Sequence, residues 1–241
     1  MQKFFIPDRE IEQNDITITG DNAHHISYSL RMAAGELITV CDGRGNDCVC
    51  EITSITRDAV YARVLERRRC EAEPPYRAVL YQSLAKGEKM DYIVQKATEF
   101  GVGRIVPVES ARCIARLRDG SAEKKVARWR RIAEEAAKQS GRGVIPTVDM
   151  PIGFSDAVKI ASESEGISFI CYENERARSI SAIEKSGAYS FFIGPEGGYE
   201  ADEVATAEAA GVVPVTLGRR ILRCESASGF VLACISYRNE L

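Results

Sequence analysis

Phe191-Phe192-Ile193-Gly194-Pro195-Glu196-Gly197-Gly198-Tyr199 starts as an apolar run and ends on glycines. Roughly twenty residues later Val215-Thr216-Leu217-Gly218-Arg219-Arg220-Ile221-Leu222-Arg223-Cys224-Glu225-Ser226 repeats the design. Each stretch reads as a buried strand, then a stiff glycine-bearing loop, then a helix. An apolar run bounded by Gly and Pro is the pattern of a strand covered on both faces. In sheets of such strands, ligands sit beyond the carboxyl ends. Gly194, Gly197, Gly198 and Gly218 lack a Cβ, so each admits either positive φ or close approach of a ligand to backbone. Two such loops so near in sequence predict one shared pocket. It is neither a dinucleotide fingerprint nor a phosphate loop, because no G-x-G-x-x-G and no Gly-Lys-Ser/Thr follows.

Working outward, strands and helices alternate from Arg77 onward, the mark of a parallel sheet covered by helices. Strands are expected at 78–84, 104–108, 167–172, 189–193 and 212–217. The runs at 167–172 and 189–193 are the most apolar and are expected at the centre. Met90, Ile93, Val94 and Ala97 recur at helical spacing. So do Val126, Trp129, Ala133 and Ala136, with arginines on the opposite side. A closing helix over 226–239 carries Phe230, Val231, Cys234, Ile235 and Tyr237. Apolar over much of its surface, it needs cover on more than one side, which predicts a homodimer.

Before Arg77 the pattern is different. Short strands at 3–6, 16–18, 36–41, 48–53 and 59–65 suggest a small β-barrel, with Asp42-Gly43-Arg44-Gly45-Asn46 as a hairpin turn. Arg67-Arg68-Arg69-Cys70-Glu71-Ala72-Glu73-Pro74-Pro75 breaks every periodicity and reads as a linker. Two domains are therefore expected, at 1–72 and 73–241.

The 241 residues include 45% hydrophobic and 28% charged side chains, ordinary for a globular protein. No apolar run is long enough to span a membrane, and the first residues turn polar too soon for a signal peptide, so a cytoplasmic location is expected. The eight cysteines show no C-x-x-C and no histidine at metal spacing, so buried free thiols are expected and no metal. A net charge of −3 argues against indiscriminate nucleic-acid binding. Yet Arg104 to Arg142 holds eleven basic residues against five acidic ones, which suits a polyanion held in one place, or else a solvated helix face. Candidate phosphate contacts are Arg9, Arg31, Arg112, Arg116 and Arg142. His24 and His25, the only histidines, suit RNA contact or helix capping better than catalysis.

Ile193-Gly-Pro-Glu-Gly-Gly followed by Leu217-Gly-x-Arg-Ile-Leu-Arg-x-Glu resembles the knotted SPOUT methyltransferases. The resemblance is closest to the RsmE-type family, which methylates N3 of a uridine in small-subunit (16S) ribosomal RNA. It covers nearly the whole chain. Lys3-Phe4-Phe5 and His24 to Glu36 look like that family's PUA-like domain. Gln82 to Asp91, Gln95 to Val102, Arg128-Trp129 and Glu134 to Arg142 are similar too. Two departures stand out. Lys3 occupies a place where arginine is common, and Cys224-Glu225-Ser226 replaces the usual Thr-Glu-Thr, which removes a hydroxyl donor.

The resemblance implies an α/β fold: a SPOUT-type parallel sheet with a C-terminal trefoil knot, preceded by a small PUA-like β-barrel. It implies S-adenosylmethionine bound in the knot by Ile193, Gly194, Pro195, Glu196, Gly197, Gly198, Leu217, Gly218, Ile221 and Leu222, with Tyr172 a further wall. The partners implied are 16S ribosomal RNA, within the small ribosomal subunit, and a second copy of the chain. Uracil N3 is a poor nucleophile until it loses its proton, so the site needs a cation or a base. Arg220 and Arg223 can serve as the cation, and Glu225 or Glu196 as the base, although Glu196 can instead fix its own loop. The rival readings are another SPOUT RNA methyltransferase, acting on a ribose 2′-O or another base, and a non-catalytic RNA-binding assembly factor. No Asn-and-Arg motif of the ribose-methylating branch occurs near 95–103, and intact glycine loops speak against the non-catalytic reading.

Overall fold

The computed structural model describes residues 2–6, 14–115 and 120–241, in two compact units. The described residues of Met1–Glu73 join Ala137–Ile145 in one unit, while Pro74–Ala136 and Pro146–Leu241 form the other.

The smaller unit is a curled, mixed five-stranded sheet. Its strands are β1 (Lys3–Phe5), β2 (Asp15–Thr19), β3 (Leu37–Cys41), β4 (Asn46–Ile55) and β5 (Ala59–Arg69), in the order β1-β3-β4-β5-β2. β1 runs parallel to β3 and the other neighbours are antiparallel. Alternating apolar residues from every strand turn inward, among them Phe4, Ile16, Ile38, Cys50 and Val60. The linker expected at Arg67–Arg69 is instead strand, because β5 continues to pair with Asn46–Cys48 across the hairpin. Between β2 and β3 lie α1 (Gly20–His24) and a π-helical turn (His25–Ser29) that buries Ala23 and Ile26. Glu73 gathers in the segment at 142–144, accepting bonds from the backbone N–H groups of Gly143 (2.8 Å) and Val144 (2.9 Å) and from the Arg142 guanidinium (2.8 Å).

The larger unit is a parallel sheet of β6 (Arg77–Ser83), β7 (Arg104–Glu109), β8 (Thr147–Val148), β10 (Ile167–Cys171), β11 (Ala188–Ile193) and β12 (Val213–Val215). The order is β12-β10-β11-β6-β7-β8, and β9 (Ile152–Gly153) pairs with β7. Strand alternation sorts the side chains into two layers. Phe169, Phe191, Leu80 and Ile105 lie in register on one face, and Ile170, Phe192, Tyr81 and Val106 on the other. The first layer packs under α2 (Lys89–Glu99), α3 (Ala122–Gln139) and α6 (Cys224–Asn239), through Ile93, Trp129 and Val231. The second packs under α4 (Phe154–Ser162) and α5 (Ala201–Ala209), through Ala157 and Val204. β11 and β6 hold the centre, whereas β10 stands one strand in from the edge. Its apolar run is explained by cover on both faces rather than by central position.

All strands of this sheet are parallel, so the loops after β10, β11 and β12 leave from the same end. Because β10 lies between β11 and β12, the connection from β11 through α5 passes over β10 to reach β12. The segment after β12 is stitched to the loop after β10: the Thr216 amide donates to Arg178 O (2.8 Å) and the Ile180 amide to Thr216 O (3.0 Å). Tertiary pairing thus places both glycine loops in one cluster.

Candidate functional site

The loops after β10, β11 and β12 enclose a cavity of about 360 Å³. Pockets that hold small organic ligands run from roughly 300 to 1,000 Å³. Its wall includes Tyr172, Ile193, Gly194, Pro195, Glu196, Gly197 and Gly198 from the first side, and Leu217, Gly218, Arg220, Ile221 and Leu222 from the other. All eleven cofactor candidates read from the sequence thus meet at one place. Ile193 is buried at the floor, while Ile221 is 86% exposed and stands at the rim.

Local geometry explains the glycines unequally. Gly198 has φ +68° and closes a turn through its amide to Pro195 O (3.0 Å). A Cβ there would meet the Glu173 carboxylate, the end of a flexible side chain that must swing aside, so conformation opposes a side chain more firmly than space does. Gly218 has φ +110° but faces open space. Tyr199, the residue after Gly198, is 1% exposed and accepts a bond from Ser83 Oγ (3.3 Å), anchoring the end of the first loop in the core.

Lys89, at the start of α2, joins the two halves of the site. Its Nζ lies 2.8 Å from Glu196 Oε1 and 3.7 Å from Glu225 Oε2. Glu196 also accepts the Lys86 amide at 3.1 Å. The Glu196 bond raises the Lys89 pKa above its ordinary value. Burial alone would raise the Glu196 pKa, but the bonds from Lys89 and the backbone outweigh it and hold the carboxyl below its usual range. Glu225 behaves alike: burial opposes, and its own amide, the Cys224 thiol and the Lys89 charge carry the pKa down. Both carboxylates are therefore held ionised. Cys224 is pushed up to about 12 by burial and by Glu225, and as a neutral thiol it donates to Glu225 Oε2 at 3.2 Å. The donor expected to be lost with threonine is supplied by sulfur.

The other candidates disperse. Arg223 precedes the first turn of α6 and is exposed, and neither it nor Glu225 lines the cavity. Arg112 grips both Glu200 oxygens (2.8 and 2.9 Å) and Gly197 O (2.8 Å), so it braces the first loop. Arg142 is 3% exposed and paired with Glu73, which corrects its reading as a phosphate contact. Much of the basic stretch is consumed in the same way, with Arg104 on Asp149 and Arg128 on Asp91. Arg31 is exposed, and Arg9 and Arg116 lie outside the described residues. Lys89, Glu173 and Arg176 were missed as site residues. Lys89 lies within Gln82–Asp91, a stretch whose resemblance to the family was the available signal.

A family model described as an RNA methyltransferase domain matches residues 72–236, and one described as an RNA methyltransferase PUA domain matches 18–65. The ribosomal RNA small subunit methyltransferase E of Bacillus subtilis is 34% identical over 251 residues, covering 100% of this chain and 98% of the relative. This chain belongs to the ribosomal RNA small subunit methyltransferase E family. The methyltransferase E of Mesomycoplasma hyopneumoniae is 30% identical over 236 residues, 98% of this chain and 99% of that protein. A crystal structure of methyltransferase E from Neisseria gonorrhoeae, bound to S-adenosyl methionine, aligns with a TM-score of 0.86 at 34% identity, covering 98% of this chain and 97% of that one. The match to the RNA methyltransferase domain contains both cavity loops and Lys89, and the match to the PUA domain contains His24, Tyr28 and Arg31.

Proposed function

We propose that this chain transfers a methyl group from S-adenosylmethionine to N3 of a uridine in 16S ribosomal RNA, within the small ribosomal subunit and in the cytoplasm. The observation that carries this is the cavity between the two glycine loops, in a chain 34% identical to a relative solved with that donor. The lining fits the group: apolar Ile193, Leu217 and Leu222 suit an adenine and a thioether chain, and Glu173 and Glu196 supply negative charge for a sulfonium. When bound, S-adenosylmethionine supplies an electrophilic methyl group.

The chain's own residues must then orient N3 and take its proton. Glu196 is committed to Lys89 and to the Lys86 amide, so it holds its loop. Glu225 has the freer carboxylate and would take the N3 proton, the change that makes N3 nucleophilic toward the donor's methyl group. Held ionised, it is a weak base, so the reaction depends on positive charge beside the developing uridinate. The exposed guanidinium of Arg220, at the cavity, and that of Arg223, before α6, provide it. The five-stranded unit, closed as a PUA-like barrel, grips RNA, and the larger unit carries out the transfer. In the larger unit the segment leading to α6 threads the loop after β10 as a trefoil knot, in keeping with the bonds that stitch Thr216 to that loop.

The active form is a homodimer. A second cavity, of about 420 Å³, opens between α6 and the loop after β10, with Phe230 and Tyr237 on its wall. Phe230 is 37% and Tyr237 72% exposed, a surface that a second copy would cover.

The test is incubation of the purified chain with S-adenosylmethionine and either protein-free 16S ribosomal RNA or intact small subunits. Digested nucleosides are then separated by mass spectrometry. 3-Methyluridine is expected. A methyl group on a ribose oxygen, or donor binding without any RNA product, refutes the assignment.

A further inference from the structure

The smaller unit carries a strained, exposed feature that the transfer chemistry does not use. α1 passes directly into the π-helical turn His25–Ser29, where the Leu30 amide reaches back to His25 O (2.9 Å) and the Met32 amide to Ile26 O (3.1 Å). π-Turns are rare and concentrate at functional sites. The inner side of the turn is core, with Ala23 at 5% and Ile26 at 0% exposure. The outer side holds His24 and Tyr28, whose rings stack at 4.7 Å with 25° between their planes. Tyr28 is nonetheless 57% exposed.

The chain leaves this turn through Arg31, at φ +53°. Arg31 is the one non-glycine residue with positive φ among the described residues. A helix commonly ends on a left-handed residue, and glycine takes that conformation without a steric penalty. An arginine at this position, with its side chain exposed, points to use of the guanidinium, since strained backbone of this kind clusters at functional sites.

We propose that Tyr28, backed by His24 and followed by Arg31, is a stacking platform for one unpaired base of the RNA substrate. This rests on the reading of the chain as an RNA methyltransferase and assigns part of the RNA grip to named residues. An aromatic face beside a cation is the arrangement that holds single-stranded nucleic acid, stacking bases and pairing with the backbone. The patch is one aromatic face backed by a histidine, with exposed Arg31 three residues on, rather than the broad apolar area a protein partner would cover.

Binding of protein-free 16S ribosomal RNA by the full chain, measured by filter retention at several salt concentrations, tests the platform. Tyr28→Leu is expected to weaken binding about tenfold, the scale of one lost base stack, with the slope of log affinity against log salt unchanged. Tyr28→Phe keeps the ring and is expected to bind like the parent. Arg31→Gly is expected to lower the slope by about one while leaving the thermal midpoint undiminished, because glycine relieves the backbone. S-adenosylmethionine affinity should not move in any variant. Tyr28→Leu binding as tightly as the parent, or Phe and Leu weakening binding equally, overturns the platform. Leucine tolerated for RNA but harmful to subunit binding would point to a protein contact and also overturn it. A parent chain that binds no RNA overturns the functional reading itself.

Discussion

Lys89 stands between Glu196 of one cavity loop and Glu225 of the helix that follows the other. Replacing it with methionine leaves two carboxylates facing one another without their cation. Lys89→Met is therefore expected to lower S-adenosylmethionine affinity several-fold, measured by calorimetry, while the far-ultraviolet spectrum of the fold is kept. The pH dependence follows from the directions of the shifts. Glu196 and Glu225 are depressed, so their contribution is complete above the ordinary value of 4.5 and disappears as pH falls through their lower folded values. Lys89 is raised, so its contribution is complete below 10.5 and is lost only as pH climbs through its higher folded value. The affinity difference between parent and Lys89→Met should accordingly be flat between these limits and shrink in acid. A difference that collapses near neutrality would show that another group governs the loops. Gly198→Ala gives a second measurement at this scale. Positive φ and the Glu173 carboxylate oppose the methyl group together, whereas Gly218→Ala meets strain alone. Donor affinity should fall more for the first, and equal losses would mean that space at Gly198 does not matter.

At the scale of elements, the segment at 142–144 belongs to the smaller unit because Glu73 collects its amides and the Arg142 guanidinium. Arg142 is almost fully buried, and breaking a buried pair leaves an uncompensated charge. Arg142→Met is expected to cost about 3 kcal/mol, the low end for such pairs, since Glu73 keeps its two backbone donors. Urea unfolding reads this directly, and a change below about 0.5 kcal/mol would show the pair to be a surface one in solution. Arginine content could not reveal this. Arg142 and Arg31 look alike in sequence, yet one is buried on a carboxylate and the other is exposed where the chain leaves the π-turn. The same limit applies to Arg67–Arg69, whose charge hid a strand that only its partner at 46–48 defines. α4 differs, since Phe154, Ala157, Val158 and Ala161 follow helical spacing, a local mark of a helix that the expected elements lack.

For the whole molecule, the proposed homodimer rests on the exposed aromatic side of α6. Ile235 is 4% exposed and belongs to the chain's own core, so the residues available to a second copy are Phe230 and Tyr237. Tyr237→Glu is expected to give a monomer in sedimentation velocity and to lose methyl transfer with it, since α6 begins at the Cys224–Glu225 end of the site. Burying a carboxylate without a partner costs several kcal/mol, enough to separate a dimer. A parent chain that sediments as a fully active monomer would end the dimer proposal.

Most strands of the parallel sheet and both pocket-forming loops were legible in the order of residues alone. Buried parallel strands must be continuous apolar runs, and glycine is close to obligatory where φ is positive, so both leave marks in local order. Phe191 to Tyr199 and Val215 to Ser226 carried those marks and also the family resemblance. What each charged side chain does follows from the fold instead. Whether an arginine meets phosphate, a carboxylate or water depends on groups distant in the chain, as with Arg112 on Glu200 and Arg142 on Glu73. Lys89 is the sharpest case, since its partners lie 107 and 136 residues away and meet it only because the strands before them share one sheet. Backbone pattern is local, whereas electrostatic pairing acts through space, and folding alone sets those distances.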